Sequence, residues 1–248
     1  MFLHQIAVDE IKERLLLVNK SFKNPVIVTG FPHYWSKAFP DFDVIQDTDR
    51  LDLSQNSYDL IIHAMSLHWA NDPVGQIVQC RQALVEDGLF LGCLFGGQTL
   101  HELRTALAEA ETAITGGMSP HVVPMAEIRD LGGLLQRAGL SLPVADAMTQ
   151  LVTYKSLGNL AADLRAMGES NALKMRAPQP LSRGTTNLAD EIYRRSFGHG
   201  DDGIITTFEM IFLSGWAPHP DQQTPLRPGS ATHSLADALE KLKSETGI

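Results

Sequence analysis

The residues with the most chemistry to offer stand in one short string. Ser66-Leu67-His68-Trp69 follows directly on Tyr58 to Met65, a near-continuous apolar run of the kind that forms a strand covered on both faces. A hydroxyl, an imidazole and an indole at a strand end can stack on a ligand or hydrogen-bond to it, or can serve only to pack that end. His63, inside the run, reads as a satisfied core histidine. Three further groups are candidates of other kinds. Glu169-Ser170-Asn171 follows a predicted helix and can cap it or face a cleft, and Glu102 and Arg104 flank a helical face. His199-Gly200-Asp201 matches half of an iron-binding facial triad but sits in a glycine-rich turn, so it reads as a turn. No metal site is expected. Cys80 and Cys93 are the two cysteines, too few for a zinc site or a disulfide framework, and a reducing compartment fits them.

The elements that must position these residues follow from periodicity. Ile11, Leu15, Val18 and Phe22 predict an amphipathic helix reaching Asn24-Pro25, and Val26 to Gly30 a short buried strand. Phe42 to Ile45 is a weaker strand. Asp72 to Leu84 reads as a helix, Glu86-Asp87-Gly88 as a turn and Leu89 to Phe95 as a strand. Leu100, Leu103, Leu107, Ala110 and Ile114 line one face of the next helix, and another, through Leu131 and Leu135, stops at Ala138-Gly139-Leu140. Val144 to Tyr154 reads as a strand, Leu157 to Met167 and Leu188 to Phe197 as two helices forming a lid, Gly203 to Trp216 as the last long strand. Ser234 to Asp237 reads as a capping box. Strands alternating with helices predict a mostly parallel α/β sheet. The expected organisation is one domain over 1–248: helix 1–24, core 25–154, helical lid 155–200, and final strand and helix 201–248.

A formal net charge of −9, with no dense Lys/Arg cluster, argues against nucleic acid and anionic membrane as partners. No apolar run is long enough to span a membrane, and Met1 to Lys20 carries Asp9, Glu10 and Glu13, unlike a leader. The cytoplasm is the expected location, and a small molecule or a protein the expected partner.

The string Ser66 to Pro73, with Phe95-Gly96-Gly97, Glu102-Leu103-Arg104, Ser119-Pro120-His121, Met167 to Asn171 and Arg227 to Thr232, resembles the mitochondrial complex I assembly factor 5 family. More distantly it is similar to the malonyl-carrier-protein methyltransferase of biotin synthesis. The resemblance implies the class I methyltransferase fold, a Rossmann-like doubly wound sheet of order 3-2-1-4-5-7-6, and S-adenosylmethionine or a relative of it as ligand. One family member is regarded as hydroxylating an arginine of a complex I subunit, so the resemblance does not fix the reaction. It places Gly30, Asp47, Ser66, His68 and Trp69 around a cofactor pocket, Asp47 as the acid on the adenine side; catalytic residues are not identified.

The front of the chain departs from that pattern. Such folds use a Gly-rich turn after strand one, where backbone must approach the ligand closely. Here Thr29-Gly30-Phe31-Pro32-His33-Tyr34-Trp35 keeps one glycine among bulky neighbours. Only Phe31 to Ser57 separate strands one and four, where two βα units would need roughly 60 residues at about 30 per crossover. The sheet is therefore expected to be shortened near strands two and three. Two functions stay open: an S-adenosylmethionine-dependent methyltransferase-like protein with a degenerate cofactor motif, or a non-catalytic binding or assembly factor reaching a protein partner through the lid or the C-terminal loop.

Overall fold

The computed structural model describes residues 1–176, 179–199 and 203–223. The chain divides into Met1–Pro218 and a C-terminal unit, His219–Ile248. The expected capping box at Ser234 and the string Arg227 to Thr232 lie outside the described residues, as do Gly200 and Asp201.

In the first unit the elements run α1 (Phe2–Leu17), β1 (Pro25–Thr29), α2 (Pro32–Ala38), β2 (Asp43–Gln46), β3 (Tyr58–Ala64), a 3-10 turn (Leu67–Trp69), α3 (Pro73–Ala83) and β4 (Leu84–Phe95). After them come α4 (His101–Thr115), α5 (Ile128–Arg137), β5 (Ser141–Tyr154), α6 (Leu157–Ala166), α7 (Arg183–Phe197), β6 (Gly198–His199) and β7 (Gly203–Trp216). The sheet order is β2-β1-β3-β4-β7-β5, with β6 beside β7. β1 to β4 pair parallel; β7 runs antiparallel to both β4 and β5. This is the class I methyltransferase order with strand three missing: residues 47–57 link β2 to β3 without a helix or strand.

Alternation along the strands builds two cores. Ile27, Leu60, Ile62, Leu91, Cys93, Phe208 and Met210 face α1, α2, α4, α6 and α7, whereas Val26, Val28, Ile61, Phe90, Leu94, Ile211 and Leu213 face α3 and α5. The helices expected as a lid, α6 and α7, contribute Leu157, Leu160, Leu164, Ala189, Ile192 and Tyr193 to the first of these cores. The helix after β1 packs on one face and the helix after β3 on the other. The ends of β1 and β3 therefore flank the crevice where doubly wound sheets take ligands.

Three local expectations need correction. Helix α1 stops at Leu17 instead of reaching Asn24, because Val18 turns extended and the Lys20 ammonium is drawn to the Asp87 carboxylate at 2.7 Å. Glu86-Asp87-Gly88 is a bulge inside β4 and does not precede it: Tyr58 pairs with Leu84 and Leu60 with Leu89, so 85–88 loop out opposite one residue. Ile114, counted on the buried stripe of α4, is 47% exposed.

Candidate functional site

The five expected site residues divide between two neighbouring places. His68 and Trp69 line a cavity of about 510 Å³, mouth included, beyond the carboxyl ends of β3 and β4. Its walls are mostly apolar, from Leu100 and Leu103 at the start of α4, Val122, Val123 and Met125 in the loop before α5, and Leu164 on α6; His121 completes them. At its polar end stands Glu169. The His68 Nε2 lies 3.2 Å from Glu169 Oε1, and the Trp69 indole N–H donates to the same oxygen at 3.4 Å.

Glu169 reaches this position through a helix stop. Gly168, at φ +80°, follows the last turn of α6; its N–H donates to the Arg165 carbonyl and the Glu169 N–H to the Leu164 carbonyl, the two bonds of a Schellman motif. Glu169 is thus a cap residue and a cleft residue at once. Beyond it the Asn171 amide donates to the Pro120 carbonyl at 2.8 Å, tying this segment to the opposite wall. That wall is anchored in turn by the Glu111 carboxylate, which accepts from the Ser119 N–H at 2.6 Å and lies 3.0 Å from His121 Nε2. The Ser119 amide holds the Glu111 carboxyl below its usual range.

Gly30, Asp47 and Ser66 lie in the adjacent crevice. A Cβ on Gly30 would meet only the Ser66 Cβ, at 3.9 Å, and Gly30 is not among the left-handed residues, so its glycine is not a backbone requirement. Ser66 is 2% exposed, and its hydroxyl finds no partner. Asp47 sits just past β2, its N–H on the Thr29 carbonyl; its carboxylate accepts from the Gln76 amide at 2.9 Å. The Gln76 carbonyl oxygen lies 2.7 Å from His63 Nε2. His63 is therefore satisfied on one nitrogen only, Nδ1 being unpartnered, and burial pushes its pKa down.

The corner after β1 is filled. The Phe31 ring stands against Gly168, where an added Cβ would come within 2.8 Å of its Cζ, and packs edge-on to His4 at 4.7 Å between centroids. The Trp35 indole donates to His4 Nδ1 at 3.2 Å. Aromatic side chains thus occupy the turn that a Gly-rich loop would leave open to the methionine part of S-adenosylmethionine. Asp47, the acid placed beside its adenosine part, accepts one bond from Gln76, and a carboxylate keeps further acceptor sites.

Glu169 is legible in the sequence as a residue after a helix that can cap it or face a cleft, whereas His121 is visible only as a member of a string carrying the family resemblance. Leu103 read as core, and Val122, Val123, Met125 and Leu164 carried no signal, because apolar side chains on a cavity wall obey the same periodicity as those in a core.

No family model matches the chain. It is 38% identical to the mitochondrial arginine-hydroxylase NDUFAF5 of Danio rerio over 92% of this chain and 72% of that protein. It is 35% identical to the Homo sapiens protein over 89% of this chain and 64% of that one, so it spans about two thirds of the human relative's length. A malonyl-[acyl-carrier protein] O-methyltransferase of Xylella fastidiosa is 31% identical over 77% of this chain and 62% of its own length. Among solved structures, a methyltransferase-class protein of Bacillus halodurans superposes with a TM-score of 0.54 at 12% identity, covering 84% of this chain and 99% of that one. The YcgJ protein of Bacillus subtilis superposes with 0.52 at 11%, over 87% and 100%. The structural neighbours carry the fold and the sequence relatives the kinship: this chain belongs to the NDUFAF5 family of methyltransferase-like proteins.

Proposed function

We propose that this protein is a binding or assembly factor on a methyltransferase fold that takes an arginine side chain of a protein partner into the cavity at Glu169. The observation that carries this reading is the Glu169 carboxylate itself. Its side chain is 9% exposed, it is held by two ring nitrogens, and among the described residues no lysine or arginine lies within ion-pair distance of it. A carboxylate this dry is costly without a cation. The apolar walls suit the methylenes of an arginine, and the rings of His68 and Trp69 suit the face of a guanidinium. Arginine is also the residue named in the activity of the vertebrate relatives.

Methyl transfer from S-adenosylmethionine is the competing reading, supported by the relation to malonyl-carrier-protein methyltransferases and opposed by the Phe31 ring packed against Gly168. Calorimetric titration separates the two. An N-acetylated, C-amidated alanine-based decapeptide with one arginine should bind saturably, and Glu169→Gln should weaken it about tenfold or more. S-adenosylmethionine and S-adenosylhomocysteine should give no saturable heat at millimolar concentration. Micromolar cofactor binding would return the protein to the methyltransferases; no peptide binding at millimolar concentration would sink the arginine reading.

For location we keep the cytoplasm, on the two unpaired buried cysteines Cys80 and Cys93, while the relatives' names place those proteins in mitochondria. No helix among the described residues is long and apolar enough to cross a membrane.

A further inference from the structure

We infer that residues 118–126 form a lid that opens and closes over the cavity, pivoting at Gly116-Gly117 and fastened shut by Glu111 and Asn171; what it admits rests on reading the cavity as an arginine site. The segment supplies His121, Val122, Val123 and Met125, one wall of the cavity. It runs between α4 and α5 and contains no helix or strand. Among the described residues, none of its backbone N–H or C=O groups bonds to another backbone group. Side chains hold it instead. A segment held this way can move as one piece, because no ladder of backbone bonds has to break first.

The fastenings come from two sides. On α4 the Glu111 carboxylate accepts from the Ser119 N–H at 2.6 Å and lies 3.0 Å from His121 Nε2. From the far side the Asn171 amide donates to the Pro120 carbonyl at 2.8 Å. The Asn171 side-chain oxygen accepts from the Leu173 N–H at 3.0 Å, which fixes the end of the amide that meets Pro120. Asn171 stands two residues past Glu169, so the segment that carries the carboxylate also carries the latch. At the hinge, Gly116 has φ +73°, and a Cβ added there would meet nothing within 4 Å; one on Gly117 would meet only Thr115 Oγ1, at 3.9 Å. Two successive glycines in open space can absorb a large change in φ and ψ. With its side chain 9% exposed, Glu169 offers little surface to a guanidinium arriving from solvent, and moving this wall aside widens the approach.

Relaxation-dispersion NMR on the methyl-labelled full chain, without ligand, tests the motion itself. Val122, Val123 and Met125 should exchange with a minor open state on the microsecond-to-millisecond timescale, while Ile62 in β3 stays flat. Glu111→Gln keeps an oxygen for the Ser119 N–H but removes the charge, and Asn171→Ala removes the latch. Each should raise the open population about two- to tenfold, the worth of roughly one hydrogen bond. Stopped-flow fluorescence, with Trp69 on the cavity wall as reporter, follows mixing with the arginine decapeptide. Association and dissociation should both quicken in each variant by about that factor, so that affinity changes less than either rate. Glu111 is not among the residues lining the cavity, so a faster rate in Glu111→Gln does not come from a lost ligand contact. Flat profiles at the three wall residues in the wild type would overturn the lid, as would an open population unmoved in either variant, or affinity lost at an unchanged association rate. If the peptide fails to bind while the three residues exchange and respond to both variants, the arginine reading fails and the lid stands.

Discussion

Burial of the His4 imidazole ties stability to pH. Its Nδ1 accepts from the Trp35 indole, Phe31 and Tyr34 pack edge-on to its ring, and burial lowers its pKa to about 4, the nearby Glu169 only partly offsetting this. The unfolded chain takes up this proton near pH 6.5, the folded one only near 4, so the stability His4 contributes is fully present above about 6.5 and is lost as pH falls towards 4. The loss should amount to about 3 kcal/mol, to order of magnitude. Urea midpoints measured from pH 7.5 to 4 should fall over that window, and His4→Phe should flatten that part of the curve; an unchanged slope in the variant would show that other groups carry it. At this scale the sequence was only partly readable. His68 and Trp69 could be picked because an unusual polar and aromatic string follows a buried strand. Gly30 and Asp47 carry no such local signal and rest on the family pattern alone; a Cβ on Gly30 would meet Ser66, and Gln76 donates to the Asp47 carboxylate.

Helix ends decide where the site's side chains point. The Schellman stop of α6 needs a residue at φ +80°, and the Phe31 ring leaves no room for a Cβ there. Gly168→Ala should therefore cost about 1–2 kcal/mol in stability from the backbone conformation alone. It should also weaken arginine-peptide binding, because Glu169 is the next residue and turns with it. Ser182→Ala, which removes the cap on the Thr185 N–H at 3.0 Å, should cost about 1 kcal/mol and leave peptide affinity alone. Chemical denaturation and calorimetry on the two variants separate a position that only holds a helix from one that aims a side chain. A parallel stop at Gly139, φ +82°, ends α5 where the sequence places it, because Ala-Gly-Leu after a periodic run is a local signal. The bulge at 85–88 was harder to place: its turn residues are legible, but nothing local says that the strand resumes pairing on both sides of them.

The molecule as a whole tolerates the loss of a βα unit because of where that unit would stand. Strand three is the outermost strand on its side of the expected order, so removing it makes β2 the edge and leaves β1, β3, β4 and β7 each paired on both sides. The length deficit between β1 and β3 makes this loss legible in the sequence alone, whereas the cavity is not, since it is assembled from α4, α6 and two loops distant in sequence. The same geometry predicts an uneven sheet. β2 has four residues, none buried, and β5 has fourteen, none buried, while β3 and β4 are buried along most of their length. Amide exchange from fully covered central strands requires near-global opening, whereas edge strands can open locally. In hydrogen-exchange mass spectrometry, peptides covering 58–64 and 89–95 should exchange slowest, and those covering 43–46 and 141–154 orders of magnitude sooner. Protection of β2 equal to that of β3 would mean that something covers the edge left by the missing strand, and the shortened sheet would then be completed in solution rather than ending where β2 ends.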